Sequence, residues 1–337
     1  MPIEQEKRDA VSLLVRSGYN HLRYIKPAAE RQSPTLYAGK VESTVITLLL
    51  DQFRVTPADI REKSAIFRAC SAFNLQWRAY DEVVDEARNT IDPITEDELD
   101  HTPVYHKYAG RGVTGQEGLT ITLESMYQAI SGKDAESRRK RDKIEGLLVT
   151  YRQRVAETAN NPKYQSGDVL PYQLALGTKN DVTGLLGEVG AGMFSVFLDI
   201  NDADGVEMFR QASVAMQFGD DYLDWRKDWK DHSEKKRQSA KPVRPNENLL
   251  AATLEENQLE KALCETCLTD TTRSSALWVK ELAPNTLDLF KHRFQTELDR
   301  FPPHPYRDTL KGIISLTFYQ LLPKAPESGW FFRWAKY

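Results

Sequence analysis

The chain has 337 residues, of which 40% are hydrophobic and 28% are charged, so it can bury the core of one large domain. Its net charge of -4 excludes a global electrostatic attraction for nucleic acid or an anionic membrane. The charged start, MPIEQEKRDA, is unlike a secretory signal, and no apolar run reaches the roughly 18 residues that suggest a membrane span. We therefore expect a cytoplasmic protein without a nucleic-acid partner.

Hydrophobic periodicity predicts helices along nearly the whole chain and very little strand. One helix start is well marked, with Thr56 as N-cap and Pro57 at the first helical position. Breaks are predicted at 89–103, which contains two prolines, and at 232–247, a basic segment that resembles a loop. The predicted helices cover residues 4–25, 40–53, 56–89, 119–131, 141–159, 180–200, 205–231, 247–268, 271–298 and 304–322. The pattern favours an all-α fold, with residues 1–337 forming a single bundle of eight or more helices.

The predicted helix 56–89 carries an acidic stripe on its inward face. An apolar stripe defined by Phe67, Cys70 and Trp77 continues into Asp81, and Asp85 lies one turn further on the same side. Carboxylates on an apolar stripe are costly unless they are paired, hydrogen-bonded or bound to a metal. A bridging Mg²⁺ meets this requirement, because it prefers hard oxygen ligands. The alternative is a solvated helix end in which Arg78 and Arg88 pair with the acids.

A second predicted helix repeats the pattern in QFGDDYLDWRKD, residues 217–228. Asp220, Asp224 and Asp228 are four residues apart and share one face, with Asp221 beside them. If both acidic stripes face one cavity, several Mg²⁺ ions can bridge them to the phosphate oxygens of a substrate that has an apolar tail. The predicted metal ligands are Asp81, Asp85, Asp220, Asp221, Asp224 and Asp228, of which Asp81, Asp85, Asp224 and Asp228 are also the predicted catalytic residues.

Several other features leave alternatives open. The basic run Lys235, Lys236, Arg237, Lys241 and Arg244 either closes over a diphosphate or forms a solvated loop. The interior glycines Gly184, Gly187, Gly190 and Gly192 indicate close packing, a nearby ligand or a helix break. The CxxC of Cys264 and Cys267 has no second pair or nearby His, which favours two small apolar residues over a zinc site. The aromatic tail GWFFRWAKY (329–337) leaves burial, capping of the site or a peripheral membrane contact open, and the oligomeric state is also open.

The two acidic segments resemble a known family. FRACSAFNLQWRAYDEVVDE (67–86) is similar to the first aspartate-rich helix of squalene/phytoene synthases, whose Arg-x-x-Asp-[Asp/Glu]-x-x-Asp motif falls on Arg78, Asp81, Glu82 and Asp85. The second motif of that family falls on Gln217, Asp224 and Asp228, and VTGLLGEVGAGM (182–193) resembles the glycine-containing helix between the motifs. The resemblance covers about residues 60–235 and implies a class I isoprenoid synthase fold, a helical bundle around a central hydrophobic cavity.

The resemblance also implies a Mg²⁺-dependent reaction on a prenyl diphosphate, which is ionised to an allylic cation. The implied substrate-binding residues are Asn74, Trp77, Arg78, Gln217, Lys235 and Arg237. Trp77 is the candidate for stabilising the cation through its ring, or else it is an ordinary core tryptophan. Asp220 and Leu223 stand where head-to-head synthases carry Asn and Arg, and no N-terminal Ser-Arg pair is found in 1–56. We therefore expect a terpene cyclase, with a head-to-head prenyltransferase as the alternative and a non-catalytic assembly factor as a third hypothesis.

Overall fold

The computed structural model describes Ser12 and residues 64–87, 93–106, 111–165, 167–239, 242–266, 268, 275–316 and 318. Over these ranges the fold is an α-helical bundle. Its helices are α1 (Ser64–Ala87), α2 (Glu96–His101), α3 (Gly115–Ala129), α4 (Ala135–Asn160), α5 (Tyr172–Lys179), α6 (Leu185–Leu198), α7 (Ala203–Gln238), α8 (Leu249–Glu256), α9 (Gln258–Glu265), α10 (Ser275–Leu282), α11 (Pro284–Asp299) and α12 (Arg307–Leu316). Two short strands, β1 (Val104–His106) and β2 (Arg111–Val113), form an antiparallel pair that connects α2 to α3. The predicted all-α fold is thus confirmed.

Side-chain caps fix where several of these helices begin. Thr114, Asp134 and Asp202 each accept a hydrogen bond from a backbone N–H in the first turn of α3, α4 and α7, respectively. Thr95 and Glu98 form a reciprocal capping box at the start of α2. These caps satisfy N–H groups that have no partner within their own helix. They explain why α3 and α4 begin several residues before the positions that periodicity predicts.

The structure corrects several predicted boundaries. The segment 89–103 contains the capped helix α2, and the first part of the predicted loop 232–247 continues α7 to Gln238. The predicted helix 247–268 is divided at Asn257, and 271–298 is divided at Ala283 before Pro284. The predicted helices 4–25 and 40–53, the start at 56–59 and the tail 329–337 lie outside the described residues.

Helix α6 occupies a central place in the bundle, in contact with α1, α4 and α7. A π-helical turn, Asn180–Gly184, joins α5 to α6, so the backbone is helical from Tyr172 to Leu198. In the described ranges, this 27-residue helix is the one stretch long and apolar enough to cross a membrane by length and composition, and 61% of its most apolar window is buried inside the fold. Such burial is typical of a core helix.

The glycines of α6 have two different environments. A Cβ on Gly187 would lie 2.1 Å from Ser213 Oγ and 2.9 Å from the Phe209 carbonyl oxygen, so α6 and α7 approach closely there. A Cβ on Gly192 would lie 3.1 Å from the side chain of Leu147 on α4. At Gly190, in contrast, no heavy atom of the described residues lies within 4 Å of the Cβ position, apart from its chain neighbours and the backbone of its own helix. Close packing therefore explains Gly187 and Gly192 but does not explain Gly190.

This contrast predicts opposite effects for two alanine substitutions. We expect Gly187→Ala to lower the free energy of unfolding by about 1–3 kcal/mol, because the new methyl group overlaps atoms of α7. We expect Gly190→Ala to raise it by up to about 1 kcal/mol, because alanine is favoured in helices and meets open space. Urea unfolding followed by circular dichroism measures both values, and equal effects of the two substitutions would contradict this packing.

Candidate active site

The first acidic segment lies at the end of α1, where Asp81 and Glu82 are exposed. The residue before them, Tyr80, is fully buried, and its hydroxyl donates a 2.6 Å hydrogen bond to Asp100 Oδ1 on α2. Arg152 on α4 donates a 2.7 Å hydrogen bond to the other Asp100 oxygen. This buried chain of contacts fixes the last turns of α1 against α2 and α4. The backbone that carries Asp81 is therefore held rigidly.

A second tyrosine lies close to the same segment. Tyr151 of α4 is fully buried, stacks on Tyr80 with ring centroids 6.3 Å apart, and contacts Phe73 edge-on at 5.5 Å. Burial raises the pKa of the Tyr151 hydroxyl, and the nearby carboxylate of Asp81 adds to the shift. Among the described residues, this hydroxyl has no hydrogen-bond partner. Asp81 thus lies beside an aromatic, poorly hydrated part of the bundle.

The face of α1 below Asp81 is only partly covered. Cys70, Asn74, Trp77 and Arg78 are all half-buried, and both Cys70 and Trp77 pack against the core. The guanidinium carbon of Arg78 lies 5.6 Å from the centre of the Trp77 ring. The half-buried face thus extends from Cys70 to Trp77, whereas Asp81, which was predicted to continue it on the inward face, is exposed. For Asp85 the structure describes only the helical backbone.

The second acidic segment lies in the middle of α7. Asp220 is exposed and Asp224 is half-buried, and Gln217 is half-buried one turn before them. In the preceding turns of the same helix, Ser213 is buried against α6. The predicted change from a packed face to an acidic, partly open face is thus present in the structure.

Asp221 has a different environment from its neighbours. It is 4% exposed, and its carboxylate accepts a 3.3 Å hydrogen bond from Lys179 Nζ and a 2.7 Å bond from the backbone N–H of Leu249. Burial raises the pKa of Asp221 to about 6, and the charge of Lys179 opposes that shift. Because both oxygens have protein donors, Asp221 joins α7 to the end of α5 and the start of α8.

Asn248 is a functional candidate that the sequence reasoning missed. Its Nδ2 donates hydrogen bonds to the Asp221 carbonyl oxygen at 2.9 Å and to Asp228 Oδ2 at 2.8 Å. Its Oδ1 accepts hydrogen bonds from the backbone N–H groups of Leu250 and Ala251, which caps α8. The available signal was an Asn directly before the apolar run of α8, the usual mark of an N-cap. Burial raises the pKa of Asp228, and the hydrogen bond from Asn248 opposes that shift.

The predicted basic cluster does not form one mobile loop. Lys236 pairs with Asp168 at 2.6 Å, and the buried Arg244 donates a hydrogen bond to the Ala159 carbonyl. Lys235 and Arg237 lie in the last turn of α7, about 16 and 20 Å along the helix from Asp224. Lys241 lies outside the described residues. Basic residues in the last turn interact favourably with the helix dipole. Closure of this segment as a loop over the acidic face is therefore not supported.

Several hydrogen bonds connect the end of α4 to the π turn and the second acidic segment. Beyond the end of α1, the backbone N–H and carbonyl of Ile94 are hydrogen-bonded to the side chain of Asn160 at the end of α4. Just after α4, the Tyr164 hydroxyl is 3.3 Å from Asp181 in the π turn. The π turn is also next to the second acidic segment, because Lys179 pairs with Asp221. The end of α4, the π turn and the middle of α7 are thus neighbours.

The carboxylates suit Mg²⁺ only together with a ligand. Within the described ranges, no group of three or more His, Cys, Asp or Glu side chains is close enough to hold a metal ion alone. Mg²⁺ is usually bound through one or two carboxylates together with waters and substrate phosphates, rather than in an all-protein cage. Asp81, Asp220 and Asp224 are accessible and supply hard oxygens of this kind. The donor set therefore fits Mg²⁺ bound jointly with a diphosphate.

Comparison with solved structures identifies the fold. The chain is similar to a polyprenyl synthetase from Streptomyces coelicolor A3(2), with a TM-score of 0.50 and 12% identity over 91% of this chain and 99% of that one. The likeness to this structure supports the all-α helical-bundle fold of the chain. A geranylgeranyl pyrophosphate synthetase from the archaeon Geoglobus acetivorans has a TM-score of 0.46 and 12% identity, over 94% of this chain and 98% of that one. No protein-family model and no curated protein matches the sequence.

Proposed function

We propose that this chain is a Mg²⁺-dependent prenyltransferase that binds an allylic prenyl diphosphate between the acidic segments of α1 and α7. The observation that carries the proposal is that accessible carboxylates lie on two different helices, Asp81 near the end of α1 and Asp224 in the middle of α7. Each follows a helix face that is apolar or closely packed. A diphosphate head at the acidic end and a hydrocarbon tail along the bundle match this distribution of charge.

In this proposal the residues of the site have distinct roles. Asp81, Asp220 and Asp224 hold the diphosphate through Mg²⁺, which neutralises the negative charge that develops as the diphosphate leaves. Asp85 belongs to the same group by its position one turn beyond Asp81. Asp221 positions α7 through its hydrogen bonds with Lys179 and Leu249, and in this proposal it does not bind the metal directly. Asp228 positions α7 through its hydrogen bond with Asn248. Trp77, half-buried one turn below Asp81, presents an aromatic surface to the cation.

The solved structures support the transferase alternative better than the terpene cyclase expected from the sequence. The neighbour with a TM-score of 0.50 is named a polyprenyl synthetase. Neither of these two solved structures is named a squalene or phytoene synthase or a terpene cyclase. The experiment that tests the proposal also distinguishes it from a terpene cyclase and from a non-catalytic assembly factor.

The test is an assay of the purified protein with Mg²⁺ and allylic diphosphates of 10, 15 and 20 carbons. Each is supplied alone and with the five-carbon homoallylic diphosphate, and diphosphate release and product mass are measured. We expect products with five additional carbons, or with twice the carbon count if two allylic substrates are joined. A product with the carbon count of its substrate would replace the transferase with a cyclase. No diphosphate release from any substrate would exclude catalysis.

A further inference from the structure

Two buried tyrosines, Tyr80 on α1 and Tyr151 on α4, stack on each other but differ in their hydrogen bonds. Their ring centroids are 6.3 Å apart, with an interplanar angle of 20°. The Tyr80 hydroxyl donates to Asp100 Oδ1 at 2.6 Å and accepts a 2.8 Å bond from Gln76 Nε2. The Tyr151 hydroxyl has no partner among the described residues, although the residue is 0% exposed. In the described part of the chain, the pair thus contains one satisfied hydroxyl and one unsatisfied hydroxyl.

Burial of the Tyr151 hydroxyl without a partner is unfavourable. Folding removes the group from water, and the described residues supply no donor or acceptor to compensate for its desolvation. A phenylalanine at this position would keep the apolar contacts of the ring without that cost. An exception of this kind in a folded protein indicates a catalytic role or a bound ion or water. The Tyr151 hydroxyl is therefore a candidate for a partner that it meets only in a ligand-bound state.

The surroundings of the Tyr151 ring place its hydroxyl near the first acidic segment. The ring contacts Phe73 edge-on at 5.5 Å and stacks on Tyr80, two turns further along α1. Asp81 directly follows Tyr80 and is exposed. Its negative charge acts on the Tyr151 hydroxyl, because it adds to the rise in pKa that burial causes in that group. The unsatisfied hydroxyl and the accessible carboxylate therefore interact electrostatically.

We propose that Tyr151 is a positioning residue for Asp81, whose carboxylate accepts a hydrogen bond from the Tyr151 hydroxyl through one oxygen while the other oxygen binds Mg²⁺ together with the diphosphate. This inference rests on the proposed function and adds to it a residue that orients a metal ligand. Carboxylates that bind metals are themselves hydrogen-bonded, and these bonds fix the direction of the ligand oxygens. The raised pKa keeps the Tyr151 hydroxyl protonated at neutral pH, as a donor to a carboxylate must be.

The first test removes one hydroxyl at a time from the stacked pair and measures the urea midpoint of the ligand-free protein. Tyr151→Phe keeps the ring contacts and removes an unsatisfied group, so we expect an unchanged or higher midpoint. Tyr80→Phe is the matched control, because it leaves Asp100 without one of its donors and Gln76 without its acceptor, and we expect a lower midpoint. A Tyr151→Phe midpoint as low as that of Tyr80→Phe would overturn the inference, since the hydroxyl would then be required by the fold itself.

The second test measures binding of a non-hydrolysable 15-carbon thiodiphosphate by titration calorimetry over a range of Mg²⁺ concentrations. We expect Tyr151→Phe to raise the Mg²⁺ concentration needed for half-maximal binding by about 10–100-fold, the usual effect of losing a hydrogen-bond partner of a metal ligand. In an Asp81→Asn background, the same substitution should change this concentration less than about twofold, because the carboxylate on which the hydroxyl acts is gone. An equal effect in the two backgrounds would mean that Tyr151 acts independently of Asp81, and the inference would be wrong.

The same titrations distinguish failure of this inference from failure of the proposed function. If the wild type binds the thiodiphosphate in a Mg²⁺-dependent manner and Tyr151→Phe binds it equally well, the proposed function stands and the role of Tyr151 is rejected. If the wild type shows no Mg²⁺-dependent binding, the proposed function fails and this inference fails with it.

Discussion

Diphosphate release from an allylic prenyl diphosphate is expected to fall by about 10²–10³ when Asp224 is replaced by Asn, and by a similar factor for Asp81→Asn. Each substitution keeps the shape of the side chain and removes the charge that we propose holds Mg²⁺ against the leaving diphosphate. Asp81 is exposed and Asp224 is half-buried, so their replacement leaves the packed core intact. Release of diphosphate under saturating Mg²⁺ measures the effect.

Asp204→Ala is the control for this prediction, since Asp204 is exposed in the first turn of α7, far along the helix from the acidic segment. It should lose less than about 1 kcal/mol of stability, through the helix dipole, and no activity. Activity that survives in both Asp81→Asn and Asp224→Asn, with normal helix content, would remove the acidic segments from the mechanism.

The largest expected effect on stability is that of Lys179→Met. The substitution leaves the carboxylate of Asp221 buried without its cation, and breaking a buried pair in this way costs about 3–5 kcal/mol. The hydrogen bond from the Leu249 N–H remains, so we expect a value near the lower limit. The free energy of unfolding in urea at pH 8 measures the change.

The control is Lys236→Met, which removes the Lys236–Asp168 pair, with side chains 57% and 68% exposed. Exposed pairs contribute little, so its expected effect is below about 1 kcal/mol. Equal losses in the two variants would contradict the role given to burial at Asp221.

The loss in free energy of unfolding caused by Lys179→Met, called the Lys179→Met defect below, should also depend on pH. The pKa of Asp221 in the folded protein is raised to about 6 by burial, and loss of Lys179 raises it further. A carboxyl group whose pKa is higher in the folded state takes up a proton on folding. The free energy of unfolding of the protein therefore increases as the pH falls. The defect is therefore complete above the pKa of the variant and shrinks as the pH falls toward 6. A defect that is the same at pH 8 and pH 6 would contradict this assignment.

Local sequence signals predicted much of the fold. Hydrophobic periodicity found the helices that pack along one face. The i, i+4 spacing predicted acids on the inward faces of α1 and α7, whereas Asp81 and Asp220 are exposed. The divisions at Asn257 and Ala283 were missed because the periodic pattern continues across both. The capping box of Thr95 and Glu98 was present in the sequence, but the neighbouring prolines and acids outweighed it.

The partners of Asp221 could not be predicted in the same way. Lys179 and Leu249 lie 42 and 28 residues away in the sequence. Their approach depends on how α5, α7 and α8 pack, and helical spacing contains no information about that packing. The same limit applies to Gly190, because a single sequence does not distinguish a glycine that allows close packing from one that lies beside open space.

The π turn Asn180–Gly184 sets how far the side chains of α5 are rotated, about the helix axis, relative to those of α6. A π turn is equivalent to one extra residue in an α-helix, and one residue corresponds to about 100° of rotation. On its α5 side, Lys179 is directed to Asp221, and on its α6 side, Gly187 lies in close contact with α7. Deleting one residue of the turn would restore a regular helix but rotate one partner away from its place. The length of this turn thus couples the ion pair of Lys179 and Asp221 to the close packing of α6 on α7.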